Sequence, residues 1–216
     1  MKAGWFAWHI TAAFLHYMAF LIASHLFGSC QKRRFFVTYW SQAGQMVYMA
    51  FSAMYDIYLP SDTTKRRNTF LNTTFHLSAA FALFVSVVFW SIWSVHPELL
   101  MRQDIHYPLY LNNMQHTMPL VLIVVEQYLM QENEGRLRFI LPAASVVTLA
   151  YVGNLLSSGL GENSPYPMLD SLKENYLHLL TFIGGMYLVL LCFISLVRSY
   201  CITYDSPATV AKTKGG

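Results

Sequence analysis

Six long apolar runs, separated by short polar connections, dominate this sequence. A helix that crosses a bilayer needs about 20 mostly apolar residues, because each residue adds about 1.5 Å along the helix axis. The runs come close to this length or exceed it, and they occupy residues 3–27, 35–55, 71–95, 112–130, 139–160 and 176–197. The pattern predicts an all-α fold, a polytopic transmembrane helical bundle with six spans. A single domain over 1–202 is expected, followed by a disordered cytoplasmic tail at 203–216, which is polar.

The composition agrees with a membrane location. Hydrophobic residues make up 55% of the 216 positions, and charged residues make up only 12%. A soluble domain carries about 25% charged residues, so this chain lacks the polar surface that such a domain needs. The net charge of +3 is too small to favour nucleic acid as a partner, and the Lys and Arg residues lie in short clusters between the apolar runs. The composition therefore predicts an integral membrane protein with no nucleic-acid partner.

The distribution of basic residues predicts the orientation of the bundle. With six spans, nine Lys and Arg residues fall on the side of both termini, and five fall on the opposite side. Because cytoplasmic loops carry the excess of basic residues, both termini are expected to be cytoplasmic, in the plasma membrane or the endoplasmic reticulum. The basic first loop, Lys32-Arg33-Arg34, argues for the opposite orientation.

Metal and cofactor chemistry finds little support in the sequence. The three cysteines form no CxxC pair and no zinc-binding spacing, so no metal and no cofactor is expected. A b-type haem would need histidine pairs that face each other from two helices. His16 in mid-span and His76 or His178 near span ends do not make two such pairs.

One face of the second span carries polar residues at helical spacing. Steps of four, three, four, three and four residues place on this face Thr38, Gln42, Gln45, Met49, Ser52 and Asp56. Lipid offers such side chains no partners, so the stripe must face the bundle interior or a hydrated cavity. Two interpretations remain open. The stripe either holds neighbouring helices together through hydrogen bonds of about 0.6–2 kcal/mol, or it lines a cleft around a reactive group.

The fourth span carries a second set of polar residues. Asn112 and His116 are four residues apart and share a helix face, and Glu126 lies on nearly the same face at the far end, where we expect a basic partner. Because even-numbered spans begin on the same side, Thr38 and His116 are predicted at similar depth in one leaflet, near the loop that contains Tyr166. A hydroxyl and an imidazole at one depth suit a nucleophile and its base. Helix capping by Thr38 and structural hydrogen bonding by His116 are the alternatives.

Several short motifs carry a resemblance to a known family through their order and spacing. They are Phe35-Phe36-Val37-Thr38, Gln45, Asp56, Val88-Phe89-Trp90, Tyr107-Pro108, Leu111-Asn112, His116-Thr117, Glu126 and Tyr166-Pro167. On these motifs, which span roughly residues 33–170, the sequence resembles the family of the androgen-induced gene product and the androgen-dependent TFPI-regulating protein. The members of that family are multi-span membrane hydrolases of fatty acid esters of hydroxy fatty acids.

The resemblance implies that Thr38 is the nucleophile and His116 its base. It also implies a lipid ester substrate, which would enter from the bilayer and pass through an acyl-threonine. The residues expected to bind or orient the reacting groups are Gln42, Gln45, Asn112 and Tyr166. The sequence departs from the family's usual pattern at Asn113, in place of histidine, at Pro119, which comes two residues early, and at Ser164, in place of tryptophan.

Two non-enzymatic interpretations stand beside the hydrolase. A small transporter or channel would use the polar stripe and Glu126 as a pathway, but the sequence has no inverted repeat and no pair of Gly/Pro-broken helices. A membrane signalling or scaffold protein would keep the family fold without the activity. The sequence does not determine the oligomeric state.

Overall fold

The computed structural model describes residues 2–26, 36–58, 69–100, 108–130, 136–159, 166–172 and 174–212. Within these ranges the chain is helical and has no strand. The helices are α1 (Lys2–Leu26), α2 (Val37–Tyr58), α3 (Thr69–Val95), α4 (Leu109–His116), α5 (Met118–Met130), α6 (Leu137–Asn154), α7 (Pro167–Leu172) and α8 (Tyr176–Lys212). A 3₁₀ turn at Pro97–Leu99 follows α3, and a π turn at Leu155–Gly159 extends α6. The all-α prediction is confirmed.

Contacts at the helix ends define the relative directions of α1, α2 and α4. His9, early in α1, lies against Asp56, late in α2. Ala23, late in α1, packs with Tyr39 at the start of α2 and Leu111 at the start of α4. α1 and α2 are therefore antiparallel, and α2 and α4 begin at the same level of the bundle.

Among the described residues, four helical segments are long and apolar enough to cross a membrane. They are Gly4–Ala23, Thr69–Val95, Leu137–Ser157 and Tyr176–Cys201. Their outer surfaces carry large apolar side chains, among them Phe14, Leu149 and Leu177, which are 57%, 70% and 69% exposed. Such apolar surfaces are stable in contact with lipid, so these helices are consistent with an integral membrane protein.

The second and fourth predicted spans differ from these four for physical reasons. α2 has the length of a span, but its polar stripe lowers its mean hydropathy. The fourth predicted span, 112–130, is divided at Thr117 into α4 and α5. Pro119 has no backbone N–H to donate to Gln115, and its ring disfavours helical geometry in the residue before it. The fourth predicted span is therefore two helical segments that meet at Thr117.

The last helix also differs from its predicted bounds. The sequence predicts a sixth span that ends at 197 and a disordered tail from 203, whereas α8 continues to Lys212. Extending an existing helix adds one hydrogen bond for each residue that becomes ordered, without a new nucleation step. The last four residues, 213–216, lie outside the described part of the chain.

Some residues that carry sequence-based predictions also lie outside the described ranges. They include the basic clusters at 32–34 and 65–67, Arg102 and Lys173, which determine the predicted orientation, and Ser164. The described helices therefore place the candidate site but leave the orientation of the bundle as a prediction.

Candidate active site

Thr38 and His116 lie on the walls of one cavity between α2, α3, α4, α6, α7 and α8. The cavity has a volume of about 120 Å³, within about 930 Å³ of empty space that includes the part open to the outside. Most of the lining is aliphatic or aromatic, with contributions from Phe81, Val85, Ile92, Leu155 and Leu190. A long apolar chain is therefore the chemistry that this cavity suits.

Thr38 lies in the first turn of α2, where the backbone N–H groups have no partners within the helix. The N–H of Val37 donates to the hydroxyl oxygen of Tyr166, and the hydroxyls of Tyr166 and Thr38 are hydrogen-bonded to each other. Burial raises the pKa of Tyr166 above its usual range, so its hydroxyl stays protonated and can donate. Phe36 packs edge-on against the Tyr166 ring, with centroids 5.1 Å apart. A helix N-terminus and a phenol thus meet at Thr38, and both stabilise negative charge.

His116 is held by α3 at the point where α4 ends. Its ring stacks on Phe89, with centroids 3.4 Å apart and planes 4° from parallel. Ser86 Oγ donates to the backbone carbonyl of His116, which has no helical partner because α4 ends there. Trp90 Nε1 donates to Thr117 Oγ1 at 3.0 Å. These contacts fix the plane of the His116 ring at the cavity wall.

Thr38 and His116 share the cavity, but no hydrogen bond joins their side chains in this described part of the chain. Both residues are nearly inaccessible, at 4% and 6% exposed, and the Thr38 hydroxyl is bonded to Tyr166 instead. Catalytic hydrogen bonds are often long before substrate binds and tighten in the complex. The structure therefore brings Thr38, His116 and Tyr166 to one cavity, where Thr38 is hydrogen-bonded to Tyr166 and not to His116.

The other three predicted site residues are buried behind the cavity wall. Gln42 Nε2 donates to the backbone carbonyl of Met114 at 3.3 Å, and Gln45 Nε2 donates to Ser41 Oγ at 3.4 Å. Asn112 is fully buried on α4, one turn before His116. Gln42, Gln45 and Asn112 are not among the described residues that line the cavity.

These three residues belong with His16 and His116 to a set that we call the interior polar layer. Seven of its buried polar atoms have no hydrogen-bond partner: both ring nitrogens of His16, Oε1 of Gln42 and of Gln45, both amide atoms of Asn112, and Nδ1 of His116. Each unsatisfied buried polar group costs about 1–3 kcal/mol. Seven of them together would cost about as much as a typical folding stability of about 5–15 kcal/mol, and buried polar atoms in proteins generally have a protein or water partner.

A second buried polar cluster lies at the opposite end of α2. His9 joins two carboxylates, with Nδ1 2.5 Å from Asp56 Oδ2 and Nε2 3.2 Å from Glu126 Oε1. Tyr48 donates to Glu126 Oε1 at 2.6 Å, and Trp8 Nε1 donates to Oε2 at 2.7 Å. We call these five residues the Glu126 cluster. The sequence predicts a basic partner for Glu126, and in the structure His9 takes that place.

Sequence reasoning did not assign His9, His16 or Phe89 to either group of polar contacts. A signal for the two histidines was available, because they are seven residues apart and so share a face of an otherwise apolar helix. Phe89 carried no comparable signal, since its stacking on His116 depends on how α3 packs against α4.

Two of the three departures from the family pattern can be placed. Asn113 is exposed, and its Oδ1 accepts a hydrogen bond from Thr117 Oγ1 at 3.3 Å, so it belongs to the helix break and not to the cavity wall. Pro119 creates that break. Neither departure removes Thr38 or His116 from the cavity.

Comparison with known proteins gives one match. The family model described as FAR-17a/AIG1-like protein matches residues 7–199, which include all the residues of the candidate site. Comparison with curated proteins and with solved structures finds no match.

Proposed function

Because the chain belongs to the FAR-17a/AIG1-like protein family, we propose that it is a membrane-embedded hydrolase of fatty acid esters of hydroxy fatty acids or of related lipid esters. One observation carries the proposal: a threonine at a helix N-terminus and a histidine lie on the walls of a single, largely apolar cavity. The cavity suits the alkyl chains of such an ester, and Thr38 and His116 supply the reacting groups.

In the first half of the reaction, the acyl group moves from the substrate to Thr38. His116 accepts the hydroxyl proton, and Thr38 Oγ1 forms a bond to the ester carbonyl carbon. The bond between that carbon and the alkoxy oxygen then breaks. His116 returns the proton to this oxygen, so the hydroxy fatty acid leaves as an alcohol and the acyl group stays on Thr38.

In the second half, water releases the acyl group. His116 accepts a proton from water, the water oxygen bonds to the acyl carbon, and the bond to Thr38 breaks. The proton returns to Thr38, which restores the resting enzyme and releases a fatty acid. Each half passes through an oxyanion, and the Tyr166 hydroxyl and the N–H of Val37, which meet beside Thr38, are the donors proposed for it.

The resting contact between Tyr166 and Thr38 needs a small adjustment before reaction. The Thr38 hydroxyl must turn from Tyr166 towards His116, which a rotation about its χ1 angle allows, since threonine populates more than one rotamer in helices. Tyr166 is then released to donate to the developing oxyanion. The same phenol would thus hold the nucleophile before substrate binds and stabilise charge afterwards.

The membrane arrangement in this proposal has six crossings. α2 and the α4–α5 pair complete the set with the four apolar segments, because α2 and α4 begin at the same level and both pack inside the bundle. With both termini cytoplasmic, the Thr38 end lies in the outer leaflet, and the ester enters sideways from the bilayer. Lipid, not a soluble partner, is therefore the proposed source of the substrate.

Covalent labelling with a fluorophosphonate probe tests the nucleophile. Purified wild-type protein should be labelled on Thr38 and should hydrolyse a branched fatty acid ester of a hydroxy fatty acid. Thr148→Val is the matched control, because it removes another hydroxyl from the same cavity wall and should leave labelling intact. Solute flux without an acyl intermediate would favour a transporter, and neither activity in folded protein would favour a scaffold.

The sequon Asn72-Thr73-Thr74 tests the orientation. It lies at the start of α3, on the cytoplasmic side of the proposed arrangement, so it should carry no glycan. A glycosidase-sensitive mass shift that disappears in Asn72→Gln would reverse the orientation and move the site to the cytoplasmic leaflet.

A further inference from the structure

The proposed hydrolase needs a water molecule for the deacylation of Thr38, but its cavity is lined mostly by apolar side chains. Apolar cavities in proteins stay dry unless polar groups are available to bind water. With an acyl chain in place, even the outward opening would be lined by hydrocarbon. The water must therefore reach Thr38 from another side.

The interior polar layer adjoins Thr38 along α2 and includes His116 itself. Gln42 is one helical turn from Thr38 on α2, and Asn112 is one turn from His116 on α4. The bond from Gln42 to the carbonyl of Met114 holds α2 against the turn of α4 that carries Asn112 and His116. His116 belongs to both regions, because it lines the cavity while its Nδ1 is buried without a partner.

His16 and Gln45 lie next to each other in the layer, and their side chains interact. Both ring nitrogens of His16 and Oε1 of Gln45 nevertheless lack a partner at normal hydrogen-bond geometry. Asn112 leaves both its donor and its acceptor unpaired, at 0% exposure. A buried water typically makes about three hydrogen bonds to donors and acceptors of this kind.

We propose that the interior polar layer is a water-binding site, which supplies the water that hydrolyses acyl-Thr38. The acyl chain occupies the apolar cavity that Thr38 and His116 line, and water is bound in the interior polar layer next to it. A water beside Asn112 and His116 transfers one proton to the imidazole as its oxygen bonds to the acyl carbon. The bond to Thr38 then breaks, and Thr38 takes the proton back. This inference rests on the proposed function, but it concerns deacylation alone.

Burst kinetics with the p-nitrophenyl ester of a long-chain fatty acid separate the two halves of the reaction. Release of p-nitrophenol in the first turnover reports acylation, and the steady-state rate reports deacylation. Asn112→Leu and Gln45→Met keep side-chain volume but remove the polar atoms, so each should keep the burst, slow the steady state by about tenfold or more, and accumulate acyl-Thr38 by mass spectrometry. Met49→Leu, also fully buried on α2, is the matched control and should change neither phase.

Water in the layer can also be detected without catalysis. Radiolysis in ¹⁸O-labelled water oxidises side chains beside bound water, so His16 should be labelled in wild-type protein although it is only 1% exposed. Labelling should fall in Gln45→Met, whereas Met49→Leu should keep it. An unlabelled His16, or variants that deacylate at the wild-type rate, would overturn the water site while leaving the hydrolase standing. A wild-type protein with no burst and no acyl adduct would overturn both.

Discussion

The two ends of α2 bury polar side chains to a similar degree but satisfy them differently. At the Asp56 end, both oxygens of Glu126 accept hydrogen bonds, and both ring nitrogens of His9 face carboxylates. At the Thr38 end, the interior polar layer leaves seven buried polar atoms without a partner in the described chain. The same stripe along one helix thus contributes to the hydrogen-bonded Glu126 cluster at one end and to the interior polar layer at the other, and Ser52 Oγ between them also lacks a partner in the described chain.

The difference distinguishes buried polar residues that join helices from buried polar residues that serve the proposed site. The Glu126 cluster holds three helices together, because Glu126 comes from α5, His9 and Trp8 from α1, and Tyr48 and Asp56 from α2. The interior polar layer makes fewer and longer hydrogen bonds, such as that from Gln42 to the carbonyl of Met114, and its unpaired atoms add nothing to the contact between helices. Substitutions at the Asp56 end should therefore act on stability, and substitutions at the Thr38 end should act on turnover.

The largest expected effect is at Thr38. Thr38→Ala removes the hydroxyl that carries the acyl group in the proposed mechanism. Ester hydrolysis should therefore fall about 10⁴-fold or more, which corresponds to about 5 kcal/mol in transition-state free energy, and probe labelling should vanish with it. Thr38→Ser keeps the hydroxyl and should retain part of both activities. The melting temperature should stay near that of wild type. Near-normal hydrolysis by folded Thr38→Ala protein would show that the nucleophile is elsewhere.

The next largest effect is expected at Glu126, where a substitution should lower the stability of the fold and not the catalytic rate. Glu126→Ala leaves His9, Tyr48 and Trp8 without their shared acceptor, and breaking a buried ion pair costs roughly 3–5 kcal/mol. Thermal melting in detergent should show the loss, while the fraction that folds should keep its specific activity. Glu98→Ala is the matched control, since Glu98 also pairs with a histidine, at 2.9 Å, but on the surface, where such pairs contribute little. Equal melting shifts for both variants would contradict this structural role of the Glu126 cluster.

Tyr166→Phe should come next, at about a 10–100-fold loss in kcat, or about 1.4–2.7 kcal/mol. The ring and its packing against Phe36 remain, so the variant removes only the hydroxyl that meets Thr38 and the N–H of Val37. The N–H groups of the helix start remain as donors, and for this reason the loss should stay below that of Thr38→Ala. An unchanged kcat with a lower melting temperature would assign Tyr166 to packing.

The sequence predicted features that depend on a local pattern, and it did not predict contacts that depend on how distant helices pack. The spacing along α2 located a stripe that runs from Thr38 to Asp56, and hydropathy located the apolar helices. Neither could show that Glu126 pairs with His9, which is 117 residues away, or that Phe89 stacks on His116. The break at Thr117 was readable from Pro119, but the apolar run around it concealed the signal. Which polar atoms stay unpaired depends on three helices at once, so no single segment could predict the interior polar layer.

The smallest effect on stability is expected for Gln42→Leu. This variant tests whether Gln42 belongs to the structural or to the functional polar residues of α2. Gln42 makes one long hydrogen bond, 3.3 Å to the carbonyl of Met114, and leaves Oε1 unpaired. Hydrogen bonds between membrane helices average about 0.6 kcal/mol, and removing an unsatisfied oxygen offsets part of that. The melting temperature should therefore stay close to wild type while steady-state turnover falls, the reverse of the result expected for Glu126→Ala. A lower melting temperature with normal specific activity would instead make Gln42 part of the contact that joins α2 to α4, and would reduce the interior polar layer to Gln45, Asn112, His16 and His116.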